Sequence, residues 1–433
     1  MKLYDIFLSH STICTDSRVC ESGSLFFALK GENFDANAFA LSALEKGCAY
    51  AVVDNPKYAV DERFILVEDT LKALQDLAAL HRKRLGTKII GITGSNGKTT
   101  TKELIATVLK QKHNTHFTQG NFNNHIGVPL TLLQLRPEHE IAVIEMGANH
   151  PGEIKMLSEI AAPDWGIITN VGIAHLEGFT SFEGVKQTKA ELYTYLQKHS
   201  GKIFLNSGNE FLVEMAKKSG FELDEHVLTY QVDSNLAKTL ATARIVSCNP
   251  LLEVACETAN GKFDIKTQLI GTYNAENILS AVAIGYYFSI SNEKIKEALE
   301  NYIPQNNRSQ FTETESNKLI IDAYNANPTS MRAAILNFAQ MQAEHKALIV
   351  GDMLELGSQS ELEHQKIVEL IKEHAFSEVY LVGKCFQKTD SDYTKFTDVD
   401  ELKTFLQNNP LKNRFILIKG SRGVRLEKII NEL

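Results

Sequence analysis

Residues 89–109 constrain this chain more than any other stretch. Ile89-Ile90-Gly91-Ile92-Thr93 reads as a short β-strand and Gly94-Ser95-Asn96-Gly97 as a turn, and a helical pattern starts at Lys98 with Leu104, Ile105, Val108 and Leu109 on one face. In a strand, glycine turn and helix of this kind, backbone N–H groups turn toward phosphate oxygens and the helix N-terminus adds partial positive charge. A lysine can then reach the β- and γ-phosphates, and a hydroxyl can ligate Mg²⁺. Lys98 and Thr99 stand in those two places, followed by Thr100. The chemistry predicted is that of a nucleoside triphosphate. The strict G-x-x-x-x-G-K-[ST] spacing is not met, because Ile92 occupies the first glycine position. Further strand candidates at Ile141–Ile144 and Trp165–Thr169, each followed by a helical pattern, predict a mostly parallel sheet flanked by helices.

At about 150 residues per domain, 433 residues make about three domains. Ala36, Phe39, Ala40, Ala43 and Leu44 are spaced as one buried helix face near the N-terminus, ahead of a β-prone run at Ala49–Val53. The basic stretch His81–Lys88 then reads as an exposed boundary. The segment Leu228–Gln268 alternates like an antiparallel addition, a helix covers Asn274–Phe288, and Ile303–Ser309 reads as a second boundary. Strand candidates at 319–321, 347–350, 379–382 and 415–418 form a last α/β unit without a G-x-G-x-x-G fingerprint. The expected domains are 1–85, a small α/β unit; 86–303, the phosphate-loop unit; and 304–433, a Rossmann-like unit.

The formal charge of −8 disfavours non-specific nucleic-acid binding, so an anionic substrate needs a local basic site. Neither a signal-like N-terminus nor an apolar run of membrane-spanning length is present, which predicts a cytoplasmic protein. Six cysteines, at 14, 20, 48, 248, 256 and 385, show no metal-like spacing and read as reduced, structural thiols. Glu145 closes a strand where an open α/β sheet gathers ligands, so its carboxylate suits a Mg²⁺ contact, a helix cap or an ion pair equally well. By residue type alone, His175 reads as structural and Lys186 and Lys189 as solvated charge.

Taken together, Gly94-Ser-Asn-Gly-Lys-Thr-Thr, Glu145-Met-Gly-Ala-Asn, Asn170-Val-Gly-Ile-Ala-His175, Lys189-Ala-Glu and Asn274-Ala-Glu-Asn277 resemble the ordered motifs of the ATP-dependent Mur ligases of peptidoglycan synthesis. The resemblance runs along essentially the whole chain. Asp322-Ala-Tyr-Asn-Ala-Asn-Pro328, Gly351-Asp-Met-Leu-Glu-Leu-Gly357 with His364, and Lys419-Gly-Ser-Arg422-Gly are similar to the branch that joins D-alanyl-D-alanine to UDP-N-acetylmuramoyl-tripeptide.

That resemblance implies an amide ligase working through an acyl phosphate, with ATP and two Mg²⁺ ions, and a chain acting as a monomer. It assigns ATP to Gly94, Ser95, Asn96, Gly97, Lys98, Thr99, Thr100, Asn274, Asn277, Arg308 and Asp322. Metal ligation falls to Thr99, Glu145, His175 and a carbamylated Lys189, and catalysis to Lys98, His175 and Lys189. For substrate it implies Ser17, Arg18 and Lys30 at the UDP-sugar, and Asn124, Tyr324, Asn325 and Asn327 near peptide and dipeptide. The chain departs from the family's usual Asp-Gly-His at Asp35-Ala36-Asn37, and from the usual His at Tyr273. Other Mur-type amino-acid ligases and folylpolyglutamate synthase are alternatives separated by which amine stimulates phosphate release, and a non-catalytic nucleotide-binding regulator is a third, separated by binding without turnover.

Overall fold

The apolar run around Gly91 forms the strand Lys88–Thr93, buried from its second residue onward. A strand covered on both faces belongs inside a parallel sheet. Ile141–Glu145 and Trp165–Ile168 pair with it in parallel, one on each side. The computed structural model, which describes residues 3–173, 176–222, 225–234, 239–305 and 308–433, extends these three into a nine-stranded sheet. Thr115–Phe117 ends one edge, while Lys202–Asn206, Val227–Val232 and Ala241–Cys248 continue in parallel beyond Trp165. Leu251–Thr258 and Gly261–Ile270 complete the sheet antiparallel. The antiparallel addition expected across 228–268 therefore starts later. Val227–Val232 belongs to the parallel part because the helix Glu210–Lys218 carries the chain back over the sheet before that strand begins.

Alternate residues of the strands feed two cores. Ile90, Ile92 and Val143 pack with Leu104, Ile105 and Val108 of the helix Lys98–Leu109 and with Ile278 and Val282 of the helix Asn274–Tyr287. Ile89, Ala142 and Ile144 face the opposite way, toward Leu157 and Leu192. Two smaller sheets flank this centre and complete a three-domain α/β architecture. The first has four parallel strands, Ile13–Cys14, Leu25–Phe27, Tyr50–Val53 and Phe64–Leu66. The last has six, with Gln310–Glu313 antiparallel on Lys318–Asp322 and the rest parallel. The four strands expected after residue 304 all fall within this last sheet. Among the described residues no helix is long and apolar enough to cross a membrane.

Three local expectations are corrected. The basic stretch at His81 is no exposed linker but the last turn of the helix Thr70–Leu85, which ends at the left-handed Gly86. Arg82 is buried and donates to the carbonyls of Ala161 and Ala162 and to Asp164, so the helix docks the first domain onto the second. Phe39 lies outside the buried face predicted for it, at 48% exposure, because Ala36–Phe39 forms a 3₁₀ turn whose tighter winding shifts its phase from the helix Ala40–Glu45. The cysteines are not all scattered, since the fold gathers Cys14, Cys20 and Cys48.

Candidate active site

The phosphate loop is held from below by the end of the neighbouring strand. Asn170 accepts from the Asn96 backbone N–H at 2.9 Å and returns a bond to its carbonyl at 3.0 Å, and the Ser95 N–H donates to the Asn170 carbonyl. Thr169 Oγ1 donates to the Asn96 carbonyl at 2.6 Å. The loop passes so close that a Cβ on Gly94 would lie 2.0 Å from Thr169 Oγ1. Gly97, at φ +77°, starts the helix Lys98–Leu109 with no side-chain cap, leaving first-turn N–H groups without a side-chain partner. Lys98 Nζ donates to the carbonyls of Gly94 and Ser95 at 2.7 and 3.2 Å. Burial lowers the pKa of Lys98, and the charge of Arg308 lowers it further against the pull of Glu145.

Glu145 sits at the end of its strand and is buried, which removes the surface readings of this carboxylate. Its Oε1 accepts from Thr99 Oγ1 at 3.2 Å and from Asn123 Nδ2 at 2.8 Å. Its Oε2 makes no hydrogen bond among the described residues and lies 3.5 Å from Lys102 Nζ. A buried carboxylate oxygen with an open lone pair, beside a hydroxyl and a phosphate loop, is the hard-oxygen donor set that Mg²⁺ takes. Lys102 is fully buried, one helical turn beyond Lys98, and it also donates to the Gly120 carbonyl.

Lys189 is buried too, against the expectation of a solvated side chain for both Lys186 and Lys189. Lys186 is neutralised by Glu183 and Glu214. Among the described residues Lys189 meets the Ala148 carbonyl at 3.4 Å and the face of Phe179 at 5.2 Å. Burial, reinforced by the charge of Lys98, brings its pKa down to about 7. His175 lies outside the described residues.

The third domain closes over the loop. Asn327 Nδ2 donates to Asn96 Oδ1 at 2.7 Å, and Thr329 Oγ1 accepts from the Ile173 N–H. The resulting cavity, about 620 Å³, is lined by Ser95–Thr100, Asn124, Glu145, Asn274 and Asn277 from the centre and by Arg308, Asp322, Tyr324 and Asn325 from the third domain. That volume is of the size that holds a small-molecule ligand. Arg308 stacks on Tyr324 at 3.8 Å and its Nε is buried without a hydrogen-bond partner among the described residues. Asp322 pairs with buried Lys419 at 2.5 Å. Asn274 and Asn277 bond each other, and Asn277 accepts from Thr101, so the pair ties the helix Asn274–Tyr287 to the loop helix. Tyr273, in the place of the usual histidine, lies 2.9 Å from Ser309 through its hydroxyl.

Ser17, Arg18 and Lys30 are not among the cavity-lining residues. Arg18 forms a fork with Asp16, the Ser17 carbonyl accepts from Lys46, and Lys30 pairs with Asp54. Asn37, where the family pattern has His, is spent on Asp35 and Asp54. Sequence reasoning missed Asn123 and Lys102, and took Lys419 only as part of a motif, without its pairing to Asp322. Lys102 had a local signal, its four-residue spacing from Lys98 on one helix.

A strand-to-helix glycine loop, a buried carboxylate facing it and a third domain closing the cavity define a nucleotide-dependent enzyme of modular build. The comparisons agree: residues 92–285 match the Mur ligase middle domain, 307–422 the Mur ligase glutamate ligase domain, and 10–82 the catalytic domain of the Mur ligase family. The chain belongs to the Mur ligase family. It is 36% identical to the UDP-N-acetylmuramoyl-tripeptide–D-alanyl-D-alanine ligase of Bacillus subtilis, over 97% of this chain and 92% of that one. Among solved structures it resembles MurF from Acinetobacter baumannii, with TM-score 0.86, 33% identity, and 98% and 93% of the two chains covered. It is equally similar in TM-score, 0.86, to the MurF ligase of Thermotoga maritima in complex with ADP, at 26% identity over 100% of this chain and 98% of that one.

Proposed function

We propose that this chain joins D-alanyl-D-alanine to UDP-N-acetylmuramoyl-tripeptide at the expense of ATP, in peptidoglycan precursor synthesis. The observation that carries the reading is the single cavity in which Lys98, Thr99 and Glu145 meet Arg308, Asp322 and Tyr324. Phosphoryl transfer and amide formation need their participants within one closed site.

A carboxylate oxygen of the tripeptide attacks the γ-phosphorus of ATP, the bond to the bridging oxygen breaks, and ADP leaves with that electron pair. The dipeptide amine then attacks the acyl carbon, loses a proton, and phosphate departs from the tetrahedral intermediate. The first step brings two anions together, so positioning and charge neutralisation supply most of the catalysis. Lys98 and the N–H groups of its helix bind the β- and γ-phosphates. Arg308, from the third domain, adds positive charge once the domain has closed. Asn274 and Asn277 shape the nucleotide pocket. Thr99, Glu145, His175 and Lys189 as its carbamate would hold Mg²⁺, which when bound screens phosphate charge. Ser17, Arg18 and Lys30 would take the UDP-sugar, Asn124 the peptide, and Tyr324, Asn325 and Asn327 the dipeptide.

The test is ATP-dependent phosphate release with the UDP-muramoyl tripeptide, comparing D-alanyl-D-alanine with single amino acids. Stimulation by the dipeptide alone, lost in Lys98→Ala with melting unchanged, is expected. Equal stimulation by a single amino acid, or full activity of Lys98→Ala, refutes the reading.

A further inference from the structure

Outside the cleft, three of the six cysteines converge from separate segments of the first domain. Cys14 ends the strand Ile13–Cys14, Cys20 lies in the loop after it, and Cys48 sits between the helix Ala40–Glu45 and the strand Tyr50–Val53. All three sulfurs lie within 4.8 Å of one another, with those of Cys14 and Cys20 3.6 Å apart. A tetrahedral thiolate site with metal–sulfur bonds of about 2.3 Å has sulfur–sulfur edges of about 3.8 Å. We propose that Cys14, Cys20 and Cys48 form a trithiolate site for a thiophilic divalent cation of the zinc class.

The surroundings support ligation. Cys14 and Cys48 belong to one buried apolar cluster with Phe26, Ala28, Ala40, Ala43 and Leu44, partly buried Cys20 packs against it, and the Asp16 carbonyl oxygen lies 3.2 Å from the Cys14 sulfur. That carbonyl, or a water entering beside half-buried Cys20, completes four-coordination. Burial raises the pKa of all three thiols, opposed at Cys20 by the nearby charge of Lys46, so they stay protonated and weakly nucleophilic at neutral pH. On metal uptake each ligating thiol releases its proton to solvent.

The other convergent group, Asp352, His364 and Cys385, differs in one decisive way. Asp352 already accepts from the backbone of Cys385 and Phe386, and His364 Nε2 from Met353 N–H, so its donor atoms are committed to holding the fold. The thiol site has no such commitments to backbone N–H groups among the described residues. Its ligands bracket residues 15–19, so a bound ion would clasp the loop that carries Ser17 and Arg18; that consequence alone rests on the proposed UDP-sugar contact.

The experiment titrates reduced, full-length protein with Co²⁺, whose thiolate ligation gives a near-ultraviolet charge-transfer band that Mg²⁺-type oxygen sites do not produce. One equivalent should develop the band, one equivalent of Zn²⁺ should bleach it, Cys20→Ser should weaken Co²⁺ binding at least tenfold, and Cys385→Ser should leave it unchanged. Should Cys20→Ser fold poorly, the unmodified chain decides: Zn²⁺ should slow the reaction of three thiols with an aromatic disulfide. Absence of the band, undiminished Co²⁺ affinity in Cys20→Ser, loss of the band in Cys385→Ser, or no protection by Zn²⁺ overturns the site. None of these readouts uses ligase activity, so their failure leaves the proposed reaction untouched.

Discussion

Lys189 offers the sharpest quantitative test. Its ammonium pKa drops from 10.5 to about 7 because burial strips its hydration and Lys98 adds a like charge. At pH 7.4 an ordinary lysine is free amine in about one molecule per thousand, whereas a group titrating near 7 is mostly free amine, a gain of nearly a thousandfold. The free amine is the form that attacks CO₂, releasing a proton and leaving a carbamate. A residue that seemed fit only for solvent thus becomes a readily carbamylated lysine. With ¹³C-labelled bicarbonate, a carbamate resonance should appear in the protein and be missing from Lys189→Ala. That variant should lose phosphate release by about 10²- to 10³-fold, the scale on which one preorganised electrostatic group acts, and short carboxylic acids should restore part of it. The sign of the stability effect follows from linkage. Between about pH 7 and 10.5 the unfolded lysine binds a proton that the folded one does not, so this group's cost to stability shrinks as pH rises. Lys189→Met, which fits the buried site without a charge, should therefore melt higher at pH 7, and the gain should narrow toward pH 10. No carbamate resonance, together with no rescue at any carboxylate concentration, would refute the reasoning.

Other consequences are simpler to read. Thr99→Val, nearly isosteric, removes the hydroxyl 3.2 Å from Glu145 and should raise the Mg²⁺ concentration for half-maximal phosphate release by about 10- to 100-fold at unchanged melting temperature; an unchanged Mg²⁺ requirement counts against Thr99 as a ligand. Arg82→Ala strips charged donors from the carbonyls of Ala161 and Ala162, and chemical denaturation should show a loss of about 1.5–3 kcal/mol with kcat within twofold. Gly97→Ala places a Cβ 2.8 Å from Asn277 Oδ1 at φ +77°, so nucleotide affinity measured by calorimetry should fall more than tenfold. Wild-type affinity would show that the loop relaxes at no cost.

Legibility in the sequence followed distance along the chain. The phosphate loop could be read because its strand, glycines, lysine and helix are contiguous, so local backbone geometry and hydrogen bonding specify it. Buried parallel strands such as Ile141–Glu145 and Phe415–Lys419 could be read because both their faces are apolar. Phe39 failed because apolar spacing cannot distinguish a 3₁₀ turn from an α-turn. Arg82 failed because a basic run looks solvated until the carbonyls 79 and 80 residues away that receive it are known.

By itself, then, the sequence determined a three-part α/β chain that handles a nucleoside triphosphate, and through its ordered motifs a ligase family. Only the tertiary structure decided which charges are buried and against what. Thr99 meets Glu145 across 46 residues, Asn96 meets Asn327 across 231, and Cys48 approaches Cys14 from another element. The physical reason is that a pKa, an open lone pair or a ligand cage depends on desolvation and on neighbours in space. Residue spacing encodes neither, and packing the sheets creates both.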